Sequence, residues 1–124
     1  MSKTIQIKKL AATAAIAAAT NLTIYFVGYS VGANYQVNAG VSMQVPWFLA
    51  ALATFSPLMI AGVITKAIAT KRPGFQTFAS WAGLTVATLS IGSVLTATQD
   101  PATIIALALM HVVAGTAWFL ATKK

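Results

Sequence analysis

The chain contains no cysteine and only one acidic residue, Asp100. The lack of cysteine excludes disulfides, thiol redox chemistry, cysteine metal ligands and S-palmitoylation. Only 7% of the 124 residues are charged and 58% are hydrophobic, whereas a soluble domain of this size carries about a quarter charged residues. So few charges cannot cover a globule with polar side chains, and we therefore expect a lipid bilayer around the chain.

Basic residues outnumber the single acid by 8 to 1, which gives a formal charge of +7. Binding of nucleic acid would need these residues on one accessible polar face. They lie instead at the ends of apolar runs, where basic residues indicate membrane topology. We therefore expect no nucleic-acid partner.

Four apolar runs follow one another along the chain, each with the ~20 residues that a helix needs to cross hydrocarbon. In lipid the backbone must satisfy its own hydrogen bonds, so each run predicts a helix. The expected fold is an all-α membrane protein, in which four transmembrane helices form an up-down-up-down bundle. We treat residues 1–124 as a single transmembrane domain with helices over residues 10–33, 46–70, 75–98 and 101–122.

Short turn and helix-capping sequences separate these runs. A sharp turn is expected at residues 71–74, because Pro73 cannot continue a helix and Gly74 allows the reversal. Asp100 before Pro101 is typical of a helix start, with an N-cap aspartate and proline in the first turn.

The first run has two interpretations. In the first interpretation it is a signal peptide that is cleaved near residues 17–19, because its alanine-rich first half follows a basic N-terminal segment. The apolar stretch continues through Val27, however, and its full length favours an uncleaved membrane anchor.

Basic residues form three clusters that four spans place on one side of the membrane. The positive-inside rule makes that side cytoplasmic, so we expect a multi-pass inner-membrane protein with both termini in the cytoplasm. The clusters are Lys3, Lys8 and Lys9; Lys66, Lys71 and Arg72; and Lys123 with Lys124.

Each predicted helix carries a polar residue near its midpoint, and together these form a candidate midplane polar cluster. His111 is the only ionisable residue near the middle of any run. Ionisable residues at this depth favour function, but a neutral imidazole that fixes helix register by bonding to Asn21 or a threonine is an equally good interpretation. The candidate cluster is Asn21, Ser56, Thr85, Thr88 and His111.

Glycines mark the candidate helix-packing positions. Gly28 and Gly32 form a small-xxx-small pair on the predicted first helix, and Gly115 lies on a small face of the last. Such residues allow backbones to approach closely. We expect ordinary packing within the bundle here more than a dimer interface.

The last run contains Leu109-Met110-His111, preceded by Ala106-Leu107-Ala108. With the basic N-terminus and the polar connection after the first run, this stretch resembles a family of small uncharacterised four-helix membrane proteins widespread in actinobacteria. The resemblance implies the same four-helix architecture. It brings no established activity with it.

The function predicted from these residues is non-catalytic, since no serine–histidine–acid set occurs in the runs, and no cofactor or metal is expected. A zinc site needs three or four ligands, more than this chain offers. The leading hypothesis is an accessory or interaction protein that packs against itself or a larger membrane complex. An alternative is an oligomeric small transporter or channel with a polar path around His111 and Asn21. A weaker alternative is a haem- or pigment-binding bundle.

Overall fold

Residues 4–124 are described by a computed structural model, and Lys3 of the first basic cluster lies outside them. The elements in chain order are α1 (Ile7–Ser30), β1 (Gln36–Asn38), β2 (Ser42–Gln44), α2 (Trp47–Ala69), α3 (Gly74–Ala97) and α4 (Pro101–Thr122). All four helices are long and apolar enough to cross a membrane. The predicted four-helix membrane bundle is confirmed.

Helix ends agree with the predicted bounds within one residue for α2, α3 and α4. The first helix instead begins and ends three residues earlier than predicted, at Ile7 and Ser30. It ends there because Val31 leaves helical geometry and Gly32 takes a left-handed φ of +102°, which glycine adopts without steric cost. Apolar residues continue beyond Ser30, so hydrophobicity alone did not predict the end of α1 at this residue.

The packing order differs from the chain order. α4 lies against both α3 and α1, and α1 also lies against α2. α2 and α3 contact each other less, although only residues 70–73 connect them. We call the end that holds residues 70–73, the start of α1 and the end of α4 the lysine end, and the opposite end the loop end.

A small hairpin in the longest connection was not predicted from the sequence. β1 and β2 pair antiparallel with Val37 opposite Met43, and Gly40 in the turn has a φ of +84°. Strands of three residues are too short for an alternating pattern to reveal them. The hairpin covers the loop end, where β1 contacts α3.

Most large apolar side chains point outward, as expected where lipid is the solvent. Within the most apolar 18-residue stretch of each helix, the fraction of residues that is buried is lowest in α3, at 17%, and highest in α4, at 33%. α4 is therefore the central helix of the bundle, and α3 is the most exposed one.

Candidate functional site

Asn21 is the most connected polar residue at the middle of the bundle. It lies on α1, is 1% exposed, and its Nδ2 donates to Thr54 Oγ1 at 2.8 Å and to the Met110 carbonyl at 3.3 Å. Its Oδ1 is buried and has no hydrogen-bond partner within residues 4–124. One amide thus joins α1 to α2 and to α4.

Thr54 can receive this bond because of its own helix. Its hydroxyl donates to the Ala50 carbonyl one turn back, at 2.8 Å, which leaves the oxygen lone pairs for Asn21. Hydrogen bonds between transmembrane helices contribute on average about 0.6 kcal/mol and at most about 2. The three-helix junction therefore fixes register more than it adds stability.

The sequence suggested that His111 bonds to Asn21 or to a threonine, and the structure shows a different partner. His111 Nδ1 lies 2.7 Å from the Leu107 carbonyl of its own helix. A carbonyl only accepts, so Nδ1 donates in this bond, and Nε2 takes no part in it. Asn21 donates instead to the carbonyl of the neighbouring residue, Met110. A side-chain amide that faces a helix can bond to a backbone carbonyl as readily as to a side chain.

The five polar residues predicted to form a midplane cluster do not converge. Thr85 and Thr88 are exposed on α3 and donate to carbonyls of their own preceding turn, at 2.8 and 2.9 Å. Ser56 is half-buried on α2. Hydroxyls that bond within their own helix are the ordinary alternative to a shared cluster, and the predicted cluster is reduced here to Asn21.

Thr54 was not predicted, because the sequence favours Ser56, which precedes Pro57, as the polar residue at the middle of this helix. The signal that could have found Thr54 is the spacing of four residues along one buried face of α2. This face comprises Ala50, Thr54, Leu58 and Gly62.

Two of the three predicted packing glycines lie at close contacts. A Cβ on Gly28 would collide with the Tyr35 hydroxyl and would lie 3.2 Å from Ala106 Cβ. A Cβ on Gly115 would lie 2.8 Å from Ala87 Cβ. Gly32 is not a packing residue, because it lies beyond α1 and a Cβ there would meet nothing within 4 Å.

Two further close-contact glycines were not identified from the sequence. A Cβ on Gly62 would collide with the Leu10 side chain, and one on Gly83 would collide with the Trp118 indole. Each glycine therefore holds a large side chain of another helix against its backbone.

The lysine end is joined by a second group of hydrogen bonds, between α3 and α4. The Trp118 indole donates to the Ala79 carbonyl at 2.8 Å, and Gln76 Nε2 donates to the Thr122 carbonyl at 2.7 Å. Ser80 donates to the Thr122 hydroxyl at 2.9 Å. These bonds hold α3 to α4 where the buried fraction of α3 is otherwise small.

The loop end is organised around Tyr35, which is fully buried at a φ of 53°. Its ring stacks on Tyr25 with centroids 4.1 Å apart, and its hydroxyl donates to the Tyr25 carbonyl at 2.7 Å. Burial, and to a lesser extent the neighbouring Tyr25, raises the pKa of Tyr35 to about 12. Tyr35 thus anchors the connection to the bundle as a neutral phenol.

Asp100 fixes the same connection from α4 and acts as the predicted N-cap. Its Oδ2 accepts bonds from the Thr103 hydroxyl at 2.5 Å, from the Thr103 amide at 3.3 Å and from the Asn34 amide at 3.2 Å. The Thr103 hydroxyl first, and then the Asn34 amide, lower the pKa of Asp100 below its usual range. The carboxylate of Asp100, the single acidic side chain, therefore holds the connection after α1 against the start of α4.

Comparison with known proteins identifies one family. A family model described as a family of unknown function (DUF6069) matches residues 2–124. No curated protein and no solved structure matches the chain. The matched residues include all four helices and the hairpin.

Proposed function

Since the chain belongs to this family of unknown function, we propose a role from its own geometry: a non-catalytic membrane protein that associates through α3. The partner is a second copy of the chain or a transmembrane helix of a larger complex. The multi-pass architecture itself follows from the four apolar helices. The observation that carries the proposal is an exposed row of small residues on α3.

This row, the α3 row, consists of Thr88, Gly92 and Thr96. They are spaced by four residues, so they share one helix face, and all three are exposed. A Cβ on Gly92 would meet nothing within 4 Å. Transmembrane helices associate through such small-xxx-small faces, because small residues let the two backbones approach.

The other glycines within the helices show why Gly92 differs. A Cβ on any other glycine inside a helix would touch a neighbouring helix or the docked connection, whereas the space is open at Gly92 and at Gly74, which only begins α3. A glycine costs about 1 kcal/mol relative to alanine in a helix interior. Close packing explains that cost at the other positions, which are Gly28, Gly62, Gly83 and Gly115.

Gly92→Leu should reduce association through α3 at least tenfold and leave the fold intact, because the added side chain points away from the bundle. The chain has no cysteine, so a single Thr96→Cys reports α3 contacts by disulfide cross-linking in native membranes. Ala61→Leu is the matched control, since Ala61 is an exposed small residue on α2. Equal cross-linking in the two leucine variants would refute the proposal.

The transport alternative has less support than association. A polar path needs several side chains facing one space, and Thr85 and Thr88 face outward on α3. A haem or pigment site would depend on Nε2 of His111, and the chain has no second histidine to supply the other axial ligand. Neither arrangement favours these functions.

We also propose that the lysine end faces the cytoplasm of a bacterium, in the inner membrane, as the positive-inside rule indicates. The resemblance noted above would make this an actinobacterial membrane. The start of α1, the last turn of α2 with the α2–α3 connection, and the end of α4 carry every basic residue of the described chain.

A cysteine replacing Asn38 should react in intact cells with a thiol reagent that cannot cross the membrane, and one replacing Lys124 should not. Asn38 lies in β1 at the loop end and is exposed, and Lys124 is exposed at the lysine end. Both should react after the cells are opened. Labelling of Lys124→Cys alone in intact cells would reverse the proposed orientation.

A further inference from the structure

A groove of about 620 Å³ runs along the outer surface between α1 and α4 at the lysine end. Its walls extend from Lys9 to Thr20 on α1 and from Val112 along α4 to Lys123, the residue that follows this helix. Each wall spans twelve residues, and the eleven steps between its first and last residue cover about 16 Å at the helical rise. One leaflet of a bilayer provides about 15 Å of hydrocarbon, half of the ~30 Å core, so the groove has the length of one leaflet.

Charge is confined to one end of this groove. Lys9 of α1 and Lys123, the residue that follows α4, line it at the lysine end, and the remaining lining is uncharged. Lysine side chains extend their ammonium groups toward the headgroup level. The only acidic side chain of the chain, Asp100, caps the opposite end of the 22-residue α4, about 33 Å away. No carboxylate side chain of this protein therefore neutralises the two lysines.

We propose that this lysine-end groove binds one anionic phospholipid. The acyl chain lies along the apolar walls, and the headgroup phosphate lies between Lys9 and Lys123. The length of the groove selects a lipid of the adjacent leaflet, and the two cations select a negative headgroup over a zwitterionic one.

A second groove between the same helices provides an internal comparison. It has a volume of about 420 Å³, lies at the loop end, and is lined by residues such as Thr23, Val27 and Leu109 with no charged side chain. Both leaflets thus meet an apolar groove, but only one of the two carries cations. Acyl chains alone would not distinguish the grooves, whereas an anionic headgroup does.

Lipid titration of the purified protein in mild detergent, followed by native mass spectrometry, tests the proposal. The probes are dioleoyl phosphatidylglycerol and dioleoyl phosphatidylcholine. The parent protein should bind the first about thirtyfold more tightly, as expected for two lysines at an anionic headgroup. The double variant Lys9→Gln with Lys123→Gln should lose this preference and bind both lipids alike.

The matched control is Lys71→Gln with Arg72→Gln, which removes the same charge at the same end from two exposed residues outside the groove. It should keep the preference for phosphatidylglycerol. Thr116→Trp fills the groove from an exposed position and should weaken binding of both lipids with the lysines intact. Millimolar inorganic phosphate should not displace the bound lipid.

Three results would overturn the proposal. Equal losses in the two double variants would mean general attraction between charges. Unchanged binding in Thr116→Trp would mean that the groove is not used. Displacement by inorganic phosphate would mean that the lysines bind a free anion and not a lipid.

Discussion

Gly83→Leu is expected to destabilise the bundle by about 3 kcal/mol, at the upper end of the range for overpacked cores. A Cβ on Gly83 would collide with the Trp118 indole, including its Nε1 and Cδ1 atoms. The indole is 7% exposed and donates its N–H to the Ala79 carbonyl at 2.8 Å. It cannot move aside without breaking that bond, and a buried donor without an acceptor costs about 1 to 3 kcal/mol.

Gly92→Leu is the matched control, because it makes the same change on the same helix at a position with open space. In monomeric protein this change should not lower the free energy of unfolding and should raise it by up to about 1 kcal/mol, because a glycine is lost from a helix interior. Both values can be measured by unfolding in mixed detergent micelles containing increasing dodecyl sulfate. Similar losses in the two variants would show that the Trp118 contact does not hold α3 to α4.

The number and length of the helices could be predicted from the sequence because lipid imposes them. A run of about 20 apolar residues has no other stable conformation in hydrocarbon. Turn chemistry then located the ends, as Asp100 before Pro101 shows, where the carboxylate caps the first turn of α4. For these features the local sequence contains the whole physical cause.

The inward face of each helix was harder to predict. In a soluble helix the apolar stripe marks the core, but in a membrane the lipid-facing side is equally apolar. Leu58 is buried and Ile60 is 61% exposed on the same helix, although both are large aliphatic residues. The choice of Ser56 over Thr54 failed for this reason, since only packing decides which hydroxyl meets Asn21.

Long-range contacts set the remaining features. The left-handed backbone of Tyr35 is held by contacts from distant parts of the chain, because its amide donates to Thr103 on α4 and its ring stacks on Tyr25 of α1. The pairing of Gly28 with this tyrosine follows from the same docking. No local pattern contains these partners.

Docking of Tyr35 against Gly28 leads to an expected non-additive effect between the two residues. Gly28→Ala alone should cost about 2 kcal/mol by overpacking, because the new Cβ collides with the Tyr35 hydroxyl. Tyr35→Phe alone should cost about 1 kcal/mol through loss of the hydrogen bond from the hydroxyl to the Tyr25 carbonyl. Simple addition would predict about 3 kcal/mol for the double variant.

The double variant should instead cost little more than Tyr35→Phe. Once the hydroxyl is absent, the atoms nearest to the new Cβ are Ala106 Cβ at 3.2 Å and the ring carbon Cζ at 3.4 Å, which a small shift accommodates. We expect a favourable coupling of at least about 1 kcal/mol in a double-mutant cycle. Leu109→Ala, at a residue 48% exposed to lipid, should stay within about 0.5 kcal/mol of the parent. Strict additivity would mean that the Tyr35 side chain does not rest on Gly28, and the docked connection at the loop end would have to be abandoned.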